Sequence, residues 1–439
     1  MRVDLSSLVV VLGLVSCKCG PDSDPRSAWI ETMFAQDHQD ILLRAPELTE
    51  QKFRKMAQTP FNYFRGTGAL FLRDLSDPDM TRPKGFSSQR ILLVGDPHPE
   101  NFGTYRDASG AFSLEFNDFD AASMGPPEYD LWRLAVGFEV LEAQAQTSCG
   151  ASAAMVSGYA AGQGAATTPA DVIFADLVRR AQRDGDAREE LDDYTVIEGG
   201  VRTLALGEIE PAEDGISVDE LVGLTIEEDR LVRTLMMRYP ESTVAHRSPG
   251  AVKAIARRLG AGVASFPLLR FYVLTEGPTL GLEDDLLLEV KETGAVFIIP
   301  GVPVLPDELH STNGERVVKA QRQMQSANAL DPWLGWASEG TMSFRIRERS
   351  KYQKGFDVLR LEEKIVEGDW TCTDFSVFAR SAGQLLATAH RRVGGEVEVN
   401  QAAQQEAVAF AKTYSATLLS DYQRFRALVA RGAWQRNLP

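Results

Sequence analysis

Carboxylates, an asparagine and a histidine are concentrated between Gly95 and Asp130, around two short apolar runs. Residues 91–94 are aliphatic and end at Gly95, and residues 112–116 alternate between apolar and polar. Both patterns predict strands. The polar residues then fall at strand ends and in the turn between the strands, where a rigid scaffold can present catalytic groups. This stretch is therefore the candidate functional site of the chain.

Three side chains of this stretch have the types and the spacing of a magnesium site. Asp96 and Asn101 bracket a turn that two prolines restrain, and Asp118 follows the next predicted strand. Magnesium prefers oxygen ligands and usually shares them with substrate phosphates. In phosphoryl transfer, one Asp orients the attacking hydroxyl, while an Asn and a second Asp hold the metal. We therefore predict that Asp96 is the base and that Asn101 and Asp118 bind Mg²⁺. Asp120 is a candidate additional ligand.

The same residues resemble motifs of known families. DPHPEN at 96–101 resembles the catalytic loop of protein kinases and aminoglycoside phosphotransferases, and NDFD at 117–120 resembles their metal-binding segment. GPPEYDL at 125–131 is similar to the segment that follows it in the phosphotransferases. From roughly residue 50 to residue 430, the chain more closely resembles a bacterial family of unknown function, DUF2252. The further motifs that carry this resemblance are FRGT at 64–67, VKE at 290–292, GERVV at 314–318 and QRQMQ at 321–325.

The resemblance implies an ATP- and magnesium-dependent phosphotransferase that acts on an unidentified hydroxyl acceptor. In kinases, a strand lysine contacts the nucleotide phosphates and a helix glutamate pairs with it. Lys291, at the end of the predicted strand 286–291, matches that lysine. Glu315, near the start of the predicted helix 314–328, is the candidate partner of the lysine, and Glu292 is the alternative. A plain acidic residue at a helix start, favoured by the helix dipole, is a further interpretation of Glu315.

Four further residues are candidate contacts to the nucleotide. Gly260 and Gly262 form a glycine-rich turn before the predicted strand 268–274, although a third glycine is missing. Arg65 is a candidate phosphate contact because a guanidinium suits phosphate recognition, and a surface or capping role is the alternative. His98 lies inside the predicted catalytic loop and either contacts phosphate or, as we favour, shapes the turn.

These assignments predict an α+β protein with a protein-kinase-like two-lobe fold, in which a mostly helical large lobe faces a small lobe with an antiparallel sheet. The catalytic-loop residues precede the glycine-rich strands, which is the reverse of the order in ordinary kinases. The fold is therefore predicted to be circularly permuted, which is tolerated when the original termini lie close together. The predicted segments are 1–25 (signal and linker), 26–250 (helical lobe), 251–370 (β lobe with one helix) and 371–439 (C-terminal helices on the large lobe).

Hydrophobic spacing predicts the helices around these motifs. The segment from Ser217 to Glu220 resembles a capping box and is predicted to open a helix. Asp130 is predicted to cap a helix or to brace the catalytic loop, and His390 to be a core or capping residue. Alternation predicts a strand at 344–349. The other predicted helices are 47–75 with a break at Pro60, 129–149, 171–183, 375–392 and 401–431.

Charge and the N-terminal residues bear on partners and on location. The net charge of −16 argues against a general nucleic-acid binder, which would need a basic surface, but it does not exclude ATP in a local cationic pocket. The apolar run from Leu5 to Val15 is too short to span a bilayer and fits a secretory segment. Residues 14–17 resemble a bacterial lipobox, which predicts export and membrane attachment through a lipidated Cys17. A cytoplasmic chain with a hydrophobic start is the alternative.

Two other functions stay open from the sequence alone. A non-catalytic, pseudokinase-like lipoprotein would bind magnesium and nucleotide and would act through partners. A metal-dependent hydrolase would use Asp96, His98 and Asp118 in a compact site, with Lys291 too far away for one nucleotide to bridge. The four cysteines form no metal-binding pattern.

Overall fold

The structure, a computed structural model, combines helices with small antiparallel sheets, which confirms the predicted α+β class. The residues that it describes are 24–77, 83, 89–106, 111–162, 171–183, 187–207, 220–260, 262–263, 266–279, 281–302, 310–326, 331–349, 352–395 and 399–434. Cys17 and the predicted secretory segment lie outside this range. Among the described residues, no helix combines the length and the apolar character that a membrane span requires.

Fourteen α-helices are found in the described part of the chain. They are α1 (Pro25–Asp37), α2 (Gln39–Arg44), α3 (Pro46–Met56), α4 (Pro60–Arg65), α5 (Gly68–Ser76), α6 (Glu128–Gln144), α7 (Ala151–Ala161), α8 (Val172–Arg183), α9 (Ala187–Tyr194), α10 (Ile226–Arg238), α11 (Asn313–Met324), α12 (Val358–Val366), α13 (Cys372–Arg392) and α14 (Gln401–Ala430).

The strands of the described part belong to one larger sheet and three pairs. They are β1 (Ile91–Leu93), β2 (Phe102–Arg106), β3 (Phe112–Phe116), β4 (Ser123–Gly125), β5 (Thr195–Glu198), β6 (Val201–Leu204), β7 (Leu221–Val222), β8 (Val252–Arg258), β9 (Arg270–Thr275), β10 (Leu286–Glu292), β11 (Gly335–Glu339) and β12 (Met342–Glu348). The larger sheet is antiparallel, with the strand order β11-β12-β10-β9-β8-β7, and the pairs are β1-β4, β2-β3 and β5-β6.

Helices α6, α7, α13 and α14 form the helical body, and α6 is buried along most of its length. Glycines allow α7 and α13 to approach closely. A Cβ on Gly383 would lie 1.9 Å from the Met155 carbonyl oxygen, and a Cβ on Gly158 would lie 2.2 Å from that of Arg380. A larger residue at either position would force the two helices apart. At the start of α13, a disulfide joins Cys149 and Cys372, a pairing that the sequence analysis did not predict.

The larger sheet uses its two faces differently. One face packs apolar residues such as Val273, Leu288 and Val290 against Leu235 of α10. Because successive residues of a strand point to opposite faces, the other face of β10 presents Glu289 and Lys291. Because of this alternation, the Lys291 side chain points towards the interior of the protein rather than into solvent.

Most predicted helices are found with small shifts of their ends, but the helix predicted to open at Ser217 is wrong. Ser217 itself lies outside the described residues. Leu221 and Val222 form the edge strand β7, which pairs with β8. The helix begins later, at Ile226, where Thr225 and Glu228 form a capping box. The segments 217–220 and 225–228 both have the residue types of a capping box. The pairing of β7 with β8 is a tertiary contact, which cannot be predicted from the local sequence.

Candidate functional site

The loop between β1 and β2 contains Asp96, His98 and Asn101, and its conformation is fixed from within. The Asn101 backbone N–H donates to the His98 carbonyl at 2.8 Å, and the Asn101 side-chain amide donates to the Asp96 carbonyl at 3.1 Å. Gly95 has a φ of +94°, and a Cβ there would lie 1.9 Å from the Ala121 carbonyl oxygen. Glycine is therefore required where the chain leaves β1 and enters the loop.

Asp130, near the start of α6, holds the beginning of the loop through hydrogen bonds to its backbone. Its carboxylate accepts hydrogen bonds from the backbone N–H groups of Val94 at 2.7 Å and Gly95 at 3.0 Å. His390 Nε2 contacts the same carboxylate at 3.1 Å, and His390 Nδ1 contacts the Tyr159 hydroxyl at 2.9 Å. The side chains of Asp130, His390 and Tyr159 are all buried. The roles are those predicted for Asp130 and His390, a brace and a core residue.

Asp96 is paired with Arg133, a buried residue of α6. Arg133 Nε donates to Asp96 Oδ1 at 2.6 Å. Burial raises the pKa of Asp96, while the positive charge of Arg133 opposes the increase. A carboxyl whose pKa is raised is a stronger base once it is ionised, which suits a group that accepts a proton from a hydroxyl.

The structure brings Lys291 together with Asp118 and Asp120, although they are far apart in the sequence. Lys291 Nζ forms an ion pair with Asp120 and lies 3.9 Å from Asp118 Oδ2. Burial opposes the ionisation of Asp118, but Lys291 and Arg345 outweigh this effect and hold the pKa of Asp118 well below its usual value. Asp118 is therefore a carboxylate over the whole physiological pH range.

Lys291 lies between two arginines on one face of the larger sheet. It is paired in register with Arg270 on β9 and with Arg345 on β12, and directly opposed residues share a face. Glu289 contacts Arg270, Arg345 and Arg347 at 3.5, 2.8 and 3.2 Å. Three arginines therefore share one carboxylate, and together with Lys291 they leave an excess of positive charge beside the two aspartates.

The residues predicted to bind Mg²⁺ carry oxygen atoms that could serve as its ligands. Asp120 Oδ1 is buried and has no hydrogen-bond partner among the described residues, and a cation can satisfy such an orphaned oxygen. The Asn101 amide nitrogen is used in the hydrogen bond to the Asp96 carbonyl, so the amide oxygen is the atom that could bind a metal. No group of three or more His, Cys, Asp or Glu side chains in the described ranges is arranged for a metal. The candidate set is two carboxylates and one amide, a combination that would suit Mg²⁺ sharing its shell with water and phosphate.

Neither glutamate that was predicted to pair with Lys291 does so. Glu315 contacts Lys319 at 2.8 Å and accepts hydrogen bonds from the backbone and hydroxyl of Ser311. Burial opposes the ionisation of Glu315, but these contacts together outweigh burial and lower the pKa of Glu315 to about 2. Glu292 contacts Arg44 at 3.1 Å, because it points to the face opposite that of Lys291. The predicted Lys291–Glu315 ion pair is therefore wrong for this structure, in which aspartates hold the lysine.

Gly260 and Gly262 lie in the loop between β8 and β9, with φ values of +79° and +84°. Both values are left-handed and favour glycine. Arg270, the first residue of β9, is opposite Lys291, so this loop opens at the same end of the sheet as Lys291. Lys55 of α3 donates to the Gly260 carbonyl at 2.8 Å and ties the loop to the helical body.

Arg65 and His98 are placed in supporting positions. Arg65 forms an ion pair with Glu100 at 2.5 Å. His98 is buried and packs edge-on against Phe61. Burial, together with the nearby charge of Arg65, lowers the pKa of His98 well below its usual value and keeps it neutral. His98 therefore has the geometry of a residue that shapes the turn.

Arg133 and Arg345 are among the residues of the site that the sequence analysis missed. Arg133 follows Asp130 by three residues, which places both on one face of α6. Arg345 alternates with apolar residues on β12, at positions that point to the face of Lys291. The spacing was therefore present in the sequence, but the partners of both arginines come from distant segments.

A cavity of about 290 Å³ lies away from this site. It is lined by Cys149, Ala154, Cys372, Thr373, Ser376, Val377 and Arg380. These residues surround the disulfide at the start of α13, whereas His390, near the end of the same helix, contacts Asp130. The chemistry described above therefore does not lie in this cavity.

The chain belongs to DUF2252, a family of uncharacterised proteins conserved in bacteria. The family model matches residues 44–164 and 163–428, which together are most of the chain and include every residue of the site. A comparison of the chain with curated proteins found no match, and a comparison with solved structures found none.

Proposed function

We propose that this protein is a magnesium-dependent phosphotransferase that uses a nucleoside triphosphate, ATP, as its donor and a hydroxyl as its acceptor. The observation that carries the proposal is the meeting of Lys291 with Asp118 and Asp120, next to the loop of Asp96 and Asn101. A lysine and two aspartates on facing segments are the parts that phosphoryl transfer requires.

The cationic face of the sheet suits the phosphates of the donor. Lys291 would contact them, with Arg270 and Arg345 at its sides. Arginine and lysine both bind phosphate, arginine through a planar fork and lysine as a point charge. The loop with Gly260 and Gly262 would cover the donor at the same end of the sheet. This local charge explains how an acidic protein could bind a polyanion.

The reaction itself requires few groups from the protein. The acceptor oxygen forms a bond to the terminal phosphorus, the bond from that phosphorus to the bridging oxygen breaks, and the hydroxyl proton moves to Asp96. Asn101, Asp118 and Asp120 would hold Mg²⁺, which supplies charge neutralisation at the phosphates. Catalysis then depends mainly on positioning and on fixed charge.

The predicted kinase-like, circularly permuted fold is part of the proposal. Its support is local: β1 leads into the catalytic loop, the hairpin β2-β3 follows, the aspartates come next, and β4 returns to pair with β1. The sheet with the lysine strand comes later in the chain. Such a sheet, set against a helical body with the site between them, is compatible with two lobes around a nucleotide cleft.

A non-catalytic nucleotide-binding protein is the second candidate. Lys291 is held by Asp118 and Asp120, without the glutamate that orients this lysine in kinases. A site that binds magnesium and nucleotide but transfers no phosphate would fit this difference. A metal-dependent hydrolase is less well supported, because it was expected to need Lys291 at a distance from Asp118.

Export with membrane attachment through a lipidated Cys17 is also proposed, with a cytoplasmic chain as the alternative. The support is the disulfide between Cys149 and Cys372, since disulfides persist mainly in oxidising compartments. Labelling of the intact cells with a lipid precursor would test it. A lipid label that survives Cys17→Ser would contradict attachment at this residue.

Asp118→Asn in the full-length protein tests the proposed reaction. We expect the wild type to release or transfer the terminal phosphate of ATP in the presence of Mg²⁺, and Asp118→Asn to lower kcat by about 100-fold or more, because a metal ligand is lost. Asp40→Asn is the matched control, since Asp40 is exposed and pairs with Arg44 of the same helix. Equal ATP turnover in Asp118→Asn and wild type would reject the mechanism. Magnesium-dependent ATP binding without any turnover would favour the second candidate.

A further inference from the structure

Arg133 is one of the most deeply buried charged residues of the described chain, at 2% exposure. Its guanidinium lies 3.8 Å from the centre of the Phe64 ring. Nε donates to Asp96 Oδ1 at 2.6 Å, and Nη2 donates to the Phe64 carbonyl at 2.5 Å. One rigid group therefore joins α6, the end of α4 and the carboxylate of the proposed base.

Stability alone does not call for this arrangement. A buried ion pair costs desolvation free energy, and apolar residues of similar volume often serve stability equally well. The same face of α6 already holds the loop through Asp130, which binds the N–H groups of Val94 and Gly95. Asp130 thus fixes the backbone that precedes Asp96. Arg133 instead holds the carboxylate of Asp96 itself.

The second oxygen of the same carboxylate faces a different element. A Cβ built on Gly68, the first residue of α5, would lie 3.4 Å from Asp96 Oδ2 and 3.6 Å from Oδ1. Gly68 therefore borders the carboxylate without filling the space beside it. With Oδ1 bound by Arg133, Oδ2 is the oxygen that is left for a hydroxyl, and the missing side chain of Gly68 leaves room for the group that carries it.

We propose that Arg133 is a positioning residue, which holds Asp96 through Oδ1 so that Oδ2 receives the proton of the acceptor hydroxyl beside Gly68. Arg133 keeps its own protons throughout. The inference rests on the proposed phosphotransferase function and deepens it, because it assigns the acceptor to the space between the start of α5 and Asp96. The acceptor is then a molecule with an accessible hydroxyl that fits into the space between Gly68 and Asp96.

The test uses the full-length protein, with Mg²⁺, ATP and water as the acceptor. Phosphate release gives kcat, and calorimetric titration gives the Kd for magnesium and ATP. Arg133→Met is expected to lower kcat by about 100-fold, since a displacement of roughly 1 Å at a reacting group has such an effect. The Kd is expected to stay unchanged, because Arg133 does not belong to the cationic face of the sheet. Arg133→Lys keeps the charge and is expected to restore part of kcat.

Arg202→Met is the matched control. Arg202 is also a buried arginine, with contacts to Thr195 and to the Leu282 carbonyl, but it lies outside the site. We expect Arg202→Met to lower the melting temperature and to leave kcat unchanged. Should Arg133→Met fail to fold, Gly68→Ala carries the test, because its methyl group would make ordinary contact with Asp96 Oδ2 at 3.4 Å and would occupy the space proposed for the acceptor. A loss of kcat at constant Kd is expected for this variant.

Failure of the inference is distinguishable from failure of the proposed function. A wild type that neither binds magnesium and ATP nor releases phosphate would reject the proposed function. A wild type that turns over ATP, with equal kcat in Arg133→Met and in Gly68→Ala, would overturn the role of Arg133 alone. A parallel loss of kcat and of ATP affinity in Arg133→Met would also overturn it, since it would indicate general disruption of the site.

Discussion

Lys291 of β10 forms an ion pair with Asp120, which lies between β3 and β4. The same ammonium lies 3.9 Å from Asp118. One lysine therefore lies beside two carboxylates. In the proposed reaction, Mg²⁺ would bind to these carboxylates and the phosphates of the donor would lie between the metal and the lysine. The lysine balances part of the negative charge of the two aspartates. With magnesium on the aspartates, the lysine would be released to contact the phosphates.

The helix glutamate of this protein is expected to be dispensable. Glu315 contacts Lys319 and Ser311, not Lys291. We predict that Glu315→Gln leaves the ATP affinity and kcat unchanged and lowers the free energy of unfolding by less than about 1 kcal/mol, the usual contribution of a partly exposed pair. Calorimetric titration and denaturant unfolding measure the two quantities. A loss of ATP affinity in Glu315→Gln would mean that this residue turns to Lys291 when the nucleotide binds.

His38 is expected to make the protein sensitive to mild acid. Burial, helped by the charge of Lys52, lowers the pKa of His38 to about 3 from its ordinary 6.5. The unfolded chain therefore binds a proton near pH 6.5 that the folded protein binds only near pH 3. Stability from this residue is complete above pH 6.5 and is lost as the pH falls through this window.

The measurement is denaturant unfolding at pH 7 and pH 5 for wild type and His38→Gln. The wild type is predicted to lose about 2 kcal/mol more than the variant over this interval, at about 1.4 kcal/mol per pH unit below 6.5. His246→Gln is the control, because His246 is exposed and its substitution replaces a histidine without disturbing the core. Identical slopes in wild type and His38→Gln would contradict the pKa assigned to the buried histidine.

The disulfide is expected to stabilise the helical body. Cys149 and Cys372 are separated by 223 positions and join the segment before α7 to the start of α13. A cross-link over so long a loop typically contributes about 2–5 kcal/mol. Replacing both cysteines by alanine should lower the melting temperature and make it insensitive to reductant. A wild type whose melting temperature does not respond to reductant, and whose cysteines all react with a thiol reagent, would show that the bond does not form.

The sequence was most informative where chemistry and local spacing coincide. Asp96 and Asn101 follow an aliphatic run, Asp118 follows an alternating one, and Lys291 lies near the end of a mostly apolar strand. Long amphipathic helices such as α13 and α14 were also predictable, because their apolar faces repeat over several turns.

Residues whose role depends on packing could not be predicted in the same way. Arg133 and Arg345 have partners that only the folded chain brings near. Glu315 was assigned to Lys291 by resemblance, but the local contacts to Lys319 and Ser311 take its carboxylate. Leu221 forms a strand only because β8 is beside it. In each case a tertiary contact, absent from any local window, decides the outcome.

The central claim is that two segments far apart in the chain form one nucleotide site, and calorimetric titration with ATP tests it most directly. The wild type should bind ATP in the presence of Mg²⁺ and much more weakly after the metal is chelated. Asp118→Asn and Lys291→Met, one from each segment, should each lose at least tenfold in affinity, about 1.4 kcal/mol. Lys319→Met, at a partly exposed lysine on α11, should bind as the wild type does. Absence of binding to the wild type, or equal binding to all four proteins, would contradict the account.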